Sequence, residues 1–410
     1  MKFDTLVLGG GIVGISVALQ LQKRGMSVAL IDRKAPGNET SLGNAGLIQR
    51  EGVYPYAFPR ELATLARYAS NRATDVRYHP SAMLKLMPFL YRYWHHSRAD
   101  RHAKIARAYS TLIEHCVSEH RTLIEAAGAQ ALLRKSGWIK AFRTDGALQK
   151  ALAEAQRWNA EYGVEYDALD RAALHATEPF LSERLIGGVR YTSSDSVSDP
   201  GGLVTAYAAL FEQLGGKVLI GDAGTLEPSW RVVTQQGQIE ADFAVVALGP
   251  WSGDIASKFG YDLPLAVKRG YHMHYTAHNG SRLNQPVLDA EVGYLITPMV
   301  RGIRLTTGVE LGYRDTGKTP IQLEAVEPLA RDVFPLGARV DNEPWLGCRP
   351  CTPDMMPIIG PAPRHDGLWF AFGHAHHGLT LGPVTGRLIA EMLTGQSTVV
   401  DPAPFRVDRF

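Results

Sequence analysis

The chain of 410 residues has only three cysteines, Cys116, Cys348 and Cys351. So few thiols exclude a disulfide framework and fit a reducing compartment. Cys348 and Cys351 have the C-x-x-C spacing, but no second pair completes a zinc or iron–sulfur site. Their proline-rich flanks also differ from the helix N-terminus that activates redox thiols. We therefore predict no metal site.

An excess of charge of either sign is also missing. The 43 Lys and Arg residues nearly balance the 41 Asp and Glu residues, whereas nucleic-acid binding needs a concentrated basic face. No stretch approaches the roughly 20 apolar residues of a membrane-spanning helix. Three glycines interrupt the N-terminal apolar run, which otherwise resembles a signal peptide. We expect a soluble cytoplasmic protein that binds no nucleic acid and contacts a membrane at most peripherally.

A glycine-rich turn near the N-terminus is the most informative feature. Gly9, Gly11 and Gly14 supply the pattern G-x-G-x-x-G between a short apolar strand at 6–8 and an apolar helix predicted over 12–24. The first glycine permits a tight turn, the second lets the backbone approach a pyrophosphate, and the third lets the helix pack on the strand. The positive end of the helix then faces the phosphate. This pattern predicts a dinucleotide-binding site.

An acidic residue after the second strand completes the dinucleotide-binding pattern. The apolar strand predicted over 27–31 ends in Asp32. A carboxylate at this distance from the glycines accepts both ribose hydroxyls of an adenosine and disfavours a 2′-phosphate. Strand, helix and acid together argue against an ordinary strand-turn-helix.

The nucleotide-type patterns are not contiguous. They occupy 1–50, about 200–260 and about 350–395, whereas 60–130 has helical spacing and 264–312 alternates in the manner of strands. Such interleaving is hard to reconcile with a simple NAD dehydrogenase and indicates a flavoprotein.

We predict a mixed α/β fold in which a Rossmann-like FAD-binding domain is built from discontinuous segments. An interleaved helix-and-antiparallel-sheet domain is predicted to bind the substrate. Helices are expected over 61–70, 81–97, 101–127 and 384–393. The predicted FAD-binding domain comprises 1–50, 196–262 and 349–410, and the predicted substrate-binding domain comprises 51–195 and 263–348.

Three further segments, 39–48, 241–252 and 368–383, carry glycine turns. The last of them combines a strand, a glycine loop and a helix N-terminus. Such an arrangement offers donors and a positive dipole to the N1–C2=O edge of a reduced flavin.

Taken in order along the chain, these motifs resemble the D-amino-acid oxidase family of FAD enzymes over nearly the whole length. The segments at 88–94 and 133–138 look most like the bacterial D-amino-acid dehydrogenase branch. Those at 297–299 and 302–310 are similar to members that act on cyclic imino acids such as hydroxy-D-proline. Beyond the N-terminal fingerprint, the resemblance is carried by Thr40-Ser41, Asn44-Ala45-Gly46, Gly249-Pro250-Trp251, Arg349-Pro350, Pro353-Asp354, Pro357-Ile358-Ile359-Gly360 and Gly373-His374.

The resemblance implies non-covalent FAD and hydride transfer from a substrate alpha carbon to flavin N5, which gives an imine or a 2-oxo acid. By family position Arg349 holds the substrate carboxylate, because a guanidinium matches two oxygens in a way that lysine cannot. Tyr271 is either a second carboxylate donor or a core residue. Tyr54 and Tyr56 form either a lid over the pocket or a pair of surface aromatics.

Three histidines lie in the C-terminal loop. His374 is expected at the flavin. His376 and His377 are expected to face the substrate, where an imidazole titrating near neutrality accepts the ammonium proton or contacts the carboxylate. A metal is the least favoured reading, because no carboxylate lies nearby in the sequence.

The resemblance also implies a set of FAD contacts in the glycine-rich segments. They are Gly9, Gly11, Ile12, Val13, Gly14, Asp32, Arg33, Thr40, Ser41, Asn44, Ala45, Gly46, Leu47, Gly249, Trp251, His374, Gly378, Leu379 and Thr380.

Two alternatives stay open at this point: an oxidase of glycine, sarcosine or another secondary amine, and a flavoprotein subunit of a hetero-oligomeric dehydrogenase. Besides the small amino-acid substrate, a quinone or electron-transfer acceptor is a candidate partner, and the oligomeric state is open. The apolar, aromatic helix at 81–96 is either core, a protein contact or a segment lying in the interface of the cytoplasmic membrane.

Overall fold

The computed structural model describes residues 1–410 and contains two large sheets and one small sheet. The helices are α1 (Ile12–Gln22), α2 (Leu62–Ala69), α3 (Pro80–His96), α4 (Ala99–Glu114), α5 (Cys116–Ala126), α6 (Asp145–Tyr162), α7 (Arg171–Thr177), α8 (Pro200–Gln213), α9 (Ser252–Lys258), α10 (Ile321–Arg331) and α11 (Gly378–Leu393). None of them is both long and apolar enough to cross a bilayer.

The strands alternate with these helices along the chain. They are β1 (Lys2–Leu8), β2 (Val28–Asp32), β3 (Leu47–Ile48), β4 (Val76–Tyr78), β5 (Leu133–Arg134), β6 (Trp138–Phe142), β7 (Tyr166–Leu169), β8 (Gly187–Tyr191), β9 (Asp195–Val197), β10 (Lys217–Glu227), β11 (Arg231–Thr234), β12 (Gly237–Val246), β13 (Ala266–Ala277), β14 (Val287–Asp289), β15 (Tyr294–Met299), β16 (Gly302–Thr306), β17 (Val309–Leu311), β18 (Leu336–Arg339), β19 (Trp345–Cys351), β20 (Ile358–Pro361) and β21 (Leu368–Phe372).

The seven-stranded sheet has a parallel centre. β1 lies between β2 and β12, β10 continues the sheet beyond β2, and β21 continues it beyond β12, all in parallel. β11 joins β10 and β12 in antiparallel fashion, and β20 is antiparallel to β21. The strands come from three separated stretches of the chain, and the prediction of a mixed α/β, Rossmann-like fold is confirmed.

The eleven-stranded sheet is built around β13. This strand pairs antiparallel with β16, β17, β18 and β19, and the sheet continues through β15 and β14 to β6, β8 and β7. The third sheet is small and joins β3, β9 and β5. Arg349 lies within β19, so the domain boundary predicted at 349 falls inside a strand of the larger sheet.

The turn between β1 and α1 requires its glycines. Gly9 has a φ of +115°, a conformation that L side chains rarely adopt. A Cβ on Gly14 would lie 1.8 Å from the Gly9 carbonyl oxygen, so the helix can approach the strand only without a side chain there. α1 also packs against α11 and α8. The N-terminal residues of α1 and α11, Ile12 and Gly378, line the same cavity.

Two helix predictions are corrected by the structure. The single helix expected over 101–127 is two helices that meet at His115. The C-terminal helix begins at Gly378 and not at 384, although Pro383 lies inside it. Pro383 cannot donate to the carbonyl of Leu379 four residues earlier, and His120 Nε2 contacts that carbonyl oxygen at 2.7 Å instead. A buried side chain from α5 thus makes the proline tolerable.

Candidate active site

One cavity of about 970 Å³ runs along the carboxyl ends of the parallel strands and on to the larger sheet. Gly9 follows β1, Asp32 ends β2, and Ala247 follows β12 at its rim. Ligands of doubly wound α/β folds bind in this position, outside the carboxyl ends of the strands. The far end of the cavity is walled by β13, β19, α2 and α3.

The rim near β2 has groups that suit an adenosine. Asp32 Oδ2 accepts a hydrogen bond from the Gly10 amide at 2.6 Å, which orients the carboxylate at the cavity wall. Arg33 lies over the ring of Trp251 at 4.2 Å. The Ile12 amide at the start of α1 donates to Ser41 Oγ at 3.0 Å, so the loop that follows β2 is tied to the helix N-terminus.

Most of the residues predicted to contact the cofactor line this cavity. The lining residues are Gly9, Gly11, Ile12, Val13, Asp32, Arg33, Thr40, Ser41, Asn44, Ala45, Leu47, Gly249, Trp251, His374, Gly378 and Leu379.

Gly14, Gly46 and Thr380 do not line it. Gly14 packs against Gly9, and a Cβ on Gly46 would lie 2.3 Å from the Val197 carbonyl oxygen. Thr380 Oγ1 accepts from the Gln49 amide and donates to the Leu47 carbonyl, each at 3.2 Å. These three residues shape the backbone around the cavity.

Arg349 is the most informative side chain of the cavity. Its Nη1 donates to the carbonyl oxygens of Arg269 and Gly308, each at 3.3 Å, and no carboxylate lies within ion-pair distance. A Cβ on Gly270 would lie 2.5 Å from this Nη1, so the guanidinium occupies space that only a glycine leaves free. Burial lowers the pKa of Arg349, but an arginine remains charged in proteins. Arg349 is half-buried and faces the cavity. A cation in this position without a carboxylate partner is stabilised by an anionic ligand.

A second cation lies beside it. Lys268 is directly opposite Arg349 in the antiparallel pairing of β13 with β19, so both side chains lie on one face of the sheet. Lys268 is 6% exposed, donates to the Tyr93 hydroxyl at 3.0 Å and lies 4.3 Å from the centroid of that ring. It too lacks a carboxylate partner. The far end of the cavity therefore carries two positive charges, the buried Lys268 and the half-buried Arg349.

Tyr271 takes the second of its two predicted placements, that of a core residue, although it also lines the cavity. Its side chain is fully buried in the core of the larger sheet, and its hydroxyl accepts from the Thr319 amide at 2.7 Å. The same hydroxyl donates to Glu310, which forms a 2.8 Å ion pair with Arg269. A hydroxyl engaged in this network is not available to a substrate carboxylate, so the predicted substrate role is corrected to a structural one.

Tyr56 and His376 meet in the cavity wall. Their ring centroids are 4.6 Å apart, and both residues line the cavity. His376 Nδ1 is buried without a hydrogen-bond partner. Burial, Arg349 and Lys268 hold the pKa of His376 well below its ordinary value. The expectation that this imidazole titrates near neutrality is therefore corrected: His376 is neutral and offers a hydrogen-bond acceptor.

The other two histidines of the loop are buried, and of these only His374 lines the cavity. His377 does not line the cavity, and its Nδ1 contacts the Tyr109 hydroxyl at 2.7 Å. Burial lowers the pKa of His377 to about 4 and that of His374 to about 3. His374 Nε2 contacts Thr385 Oγ1 at 2.9 Å. A substrate role for His377 is not supported by this placement.

Tyr54 also lies away from the cavity. It stacks on Trp158 with centroids 6.0 Å apart, and its hydroxyl donates to Glu161 at 2.9 Å. Of the two tyrosines considered as a lid, only Tyr56 borders the cavity.

Sequence reasoning missed Lys268, Tyr93 and Trp345, which all line the cavity. The alternation of β13 offers a signal for the first of them. Lys268 and Gly270 share one face, while Arg269 and Tyr271 share the other. Once Arg349 is placed over Gly270, the cavity face is the one that carries Lys268.

Comparison with known proteins agrees with this geometry. A family model described as FAD dependent oxidoreductase, DAO, matches residues 4–392. The chain belongs to this D-amino-acid oxidase family. Within the family, it is 31% identical to a D-amino-acid oxidase of Bradyrhizobium diazoefficiens over 98% of both chains. It is 28% identical to a D-amino acid dehydrogenase of Rhizobium rhizogenes over 98% of this chain and 99% of that one.

A solved structure shares the fold. The crystal structure of glycine oxidase from Geobacillus kaustophilus superposes with a TM-score of 0.72 at 23% identity, covering 100% of this chain and 99% of that chain. Membership of the family establishes the protein as an FAD-dependent oxidoreductase, and the prediction of FAD is confirmed. The cavity fits this cofactor, because two helix N-termini and the side-chain-free backbone at Gly9 border it.

Proposed function

We propose that the protein binds FAD non-covalently and oxidises a D-amino acid at its alpha carbon, giving an imine that water hydrolyses to a 2-oxo acid and ammonia. The observation that carries this proposal is the half-buried Arg349 guanidinium without an acidic partner at the far end of the cavity. When bound, FAD supplies the two-electron oxidant. The chain's own residues bind and orient the substrate.

Arg349 is assigned the substrate carboxylate. Nη1 is held by two backbone carbonyls, which orients the planar guanidinium before the substrate arrives. A carboxylate compensates the charge of Arg349 and forms charge-assisted hydrogen bonds with the remaining N–H groups. Binding through the carboxylate places the alpha carbon at a defined position in the cavity, which is the main requirement for hydride removal.

The substrate amine must be neutral when it reacts. Arg349 and Lys268 place two positive charges on one sheet face, and a nearby positive charge lowers the pKa of an ammonium group. His376 adds a neutral ring whose Nδ1 has no other partner. We assign it the role of accepting a hydrogen bond from the amine, which orients the nitrogen without a protonated imidazole.

The cysteines support non-covalent binding. None of Cys116, Cys348 and Cys351 lines the cavity, and all three are buried. Burial raises the pKa of each thiol above its ordinary value, which suppresses the thiolate that a covalent link would require. Denatured protein should therefore release free FAD. Flavin that stays attached to the denatured chain would contradict this part of the proposal.

The preferred substrates are assigned from the relatives, which are named for D-amino acids. The test is an anaerobic screen in which the visible flavin absorbance is followed after addition of D- and L-amino acids, hydroxy-D-proline, glycine and sarcosine. We expect one or more D-substrates to bleach the flavin fastest. Bleaching by L-amino acids alone would overturn the stereochemical assignment, and preference for glycine or sarcosine would favour the secondary-amine alternative.

We further propose that a quinone or electron-transfer acceptor, and not oxygen, reoxidises the reduced protein. The 28% identical relative is named a dehydrogenase, although the 31% identical one is named an oxidase. After anaerobic reduction, a soluble quinone should restore the flavin absorbance faster than air does. Rapid peroxide formation in air would contradict this assignment.

The face of α3 that points away from the core supports peripheral contact with an anionic membrane. Its buried residues form one face, and Leu84, Met87, Tyr91 and Trp94 form an exposed apolar stripe on the other. The exposed cations Lys85 and Arg92 lie on the same helix, which has no acidic residue. An apolar stripe with basic neighbours is typical of helices that lie in a membrane interface.

Vesicle co-sedimentation tests this contact. Vesicles that contain phosphatidylserine should retain the protein at low salt, whereas purely phosphatidylcholine vesicles should retain less. Replacing the exposed Leu84 and Met87 by Ser should release the protein, and replacing the exposed Leu214 of another surface should not. Equal retention of both variants, or none for wild type, would contradict a membrane role for α3.

A further inference from the structure

A chain of buried polar side chains reaches from the surface to the loop that borders the flavin cavity. Asp341 Oδ2 accepts from His274 Nδ1 at 2.7 Å, and Arg304 Nε lies 3.0 Å from His274 Nε2. Arg304 Nη1 donates to the carbonyl oxygens of Leu42 and Asn44, the first at 3.1 Å. Asn44 itself lines the cavity.

The hydrogen positions of this chain follow from Arg304. A guanidinium nitrogen only donates, so His274 Nε2 must be the acceptor and His274 Nδ1 must carry the proton. That proton is donated to Asp341, which also pairs with the exposed Arg301 at 2.7 Å. Each member of the chain therefore fixes the orientation of the next.

The same hydrogen positions are incompatible with a metal at His274. His272, His274 and Asp341 offer ligand atoms within 4.8 Å of one another. If His274 Nδ1 bound a metal, the neutral ring would carry its proton on Nε2 and face the Arg304 Nε–H, donor against donor. The cluster is therefore matched to hydrogen bonding, with a neutral His274 between a carboxylate and a guanidinium.

The loop at 42–44 rests on this cluster from a second side. A Cβ on Gly43 would lie 1.8 Å from the Trp345 ring, so the loop packs directly on that indole. Trp345 in turn stacks on His272 with centroids 4.9 Å apart and an interplanar angle of 17°. Packing against the Trp345 ring fixes the position of the loop, while the hydrogen bonds from Arg304 fix its orientation.

We propose that Asp341, His274 and Arg304 form a positioning relay that holds the loop at 42–44 in the conformation that binds FAD. The relay rests on the proposed function only in taking the large cavity as the FAD site. None of its three members lines that cavity, so they act through the loop and not by touching the cofactor.

Because Arg304 and His274 are buried, each of them needs its hydrogen-bond partners within the relay. Arg304 is 4% exposed, and burial lowers its pKa to about 10. Burial also lowers the pKa of His274, followed by the effect of the Arg304 charge. A buried guanidinium that loses one acceptor leaves donors unpaired, which costs more than the loss of an exposed hydrogen bond.

Two substitutions at position 274 separate the relay from a general packing role. His274→Gln extends an amide oxygen to the place of Nε2, where it accepts from Arg304. His274→Asn keeps a donor for Asp341 but is too short to reach Arg304. Asn is also smaller than Gln, so His274→Leu serves as the packing control. It fills a volume close to that of histidine but offers Arg304 no acceptor, and a packing role alone predicts FAD binding close to wild type.

The experiment is an FAD titration of apoprotein, followed by the quenching of flavin fluorescence, with circular dichroism to check folding. We expect His274→Asn and Arg304→Lys each to raise the FAD dissociation constant by about tenfold or more, and His274→Gln to stay within about threefold of wild type. The control Arg301→Ala removes only the exposed ion-pair partner of Asp341 and should change the FAD dissociation constant by about twofold or less.

Equal dissociation constants for His274→Asn and His274→Gln, or a wild-type value for Arg304→Lys, would overturn the relay. Neither result would affect the proposed function, which is tested by flavin reduction in the wild-type protein. Conversely, a wild-type protein that binds FAD but is reduced by no amine would overturn the proposed function and leave the relay standing.

Discussion

Lys268 and Arg349 lie directly opposite each other on antiparallel strands, and neither has a carboxylate partner. Like charges in this position destabilise a sheet. An amino-acid substrate accounts for the arrangement, because its carboxylate compensates the positive charge while the same charge favours a neutral amine.

Replacing Arg349 tests the carboxylate contact. Arg349→Leu removes a charge-assisted contact and leaves the bound carboxylate buried without a partner, a loss on the order of 3–5 kcal/mol. We expect kcat/KM to fall at least about a hundredfold. Arg349→Lys should recover only part of this loss, because one ammonium does not reproduce the planar guanidinium.

FAD content is the control for this substitution. The visible spectrum and bound FAD should stay near wild type, since the assigned role concerns the substrate. If Arg349→Leu loses FAD together with activity, Arg349 is structural and the carboxylate is bound elsewhere.

Lys268 should set the pH dependence of the reaction. The positive charge lowers the pKa of the bound amine, so Lys268→Met should raise that pKa and move the acid limb of the rate of flavin reduction to higher pH, by about one unit. The measurement is anaerobic stopped-flow reduction across pH. The matched control is Lys318→Met, which replaces an exposed lysine. An acid limb at the wild-type pH in Lys268→Met would contradict the electrostatic role of Lys268.

Replacing His376 should change the rate of flavin reduction without shifting the acid limb of its pH dependence. Because its pKa lies well below the ordinary value, the imidazole is neutral wherever the amine titrates. His376→Phe removes the Nδ1 acceptor and should slow reduction by about tenfold, while His376→Asn retains part of the rate. Disappearance of the acid limb in the Phe variant would instead show that His376 titrates as a base.

His120 should stabilise the C-terminal helix through the carbonyl that Pro383 leaves unpaired. His120→Leu leaves the Leu379 oxygen buried without a donor, which should lower the free energy of unfolding by about 1–3 kcal/mol at pH 7. Urea unfolding measures this difference. A free energy equal to wild type at pH 7 would show that the contact is not needed.

The same variant has a pH signature. Burial lowers the pKa of His120 to about 4 in the folded protein, below the unfolded value of about 6.5. Between these values the unfolded chain binds the proton and the folded chain does not, so His120 costs stability as pH falls. The difference in the free energy of unfolding between wild type and His120→Leu should therefore decrease from pH 6.5 towards pH 4. A difference that increases as the pH falls would contradict the assignment of a neutral His120 in the folded protein.

The nucleotide-binding half of the cavity was predictable because its signals are local. Gly9 and Gly11 follow β1 and Asp32 ends β2, two strands that the apolar pattern reveals, and backbone geometry dictates glycine at position 9 of the turn. Family resemblance added Arg349, but nothing in its neighbourhood along the chain shows that the guanidinium is unpaired.

The substrate half was harder to predict because it depends on strand register. Tyr271 and Lys268 lie three positions apart on β13 and on opposite faces, so choosing the wrong face exchanges a side chain of the core for one that lies on the face of Arg349. The start of α11 was missed for a related reason. Pro383 signals a helix boundary locally, and only the distant His120 makes it compatible with a longer helix.

The most direct test compares an amino acid with its own carboxamide. The D-amino acid that reduces wild-type protein fastest, and the corresponding amide, are each mixed anaerobically with wild type and with Arg349→Leu, and the rate of flavin bleaching is recorded. If the Arg349 guanidinium binds the carboxylate, wild type should prefer the acid by about a hundredfold or more, and the variant should have little preference. The same preference in both proteins would contradict the account.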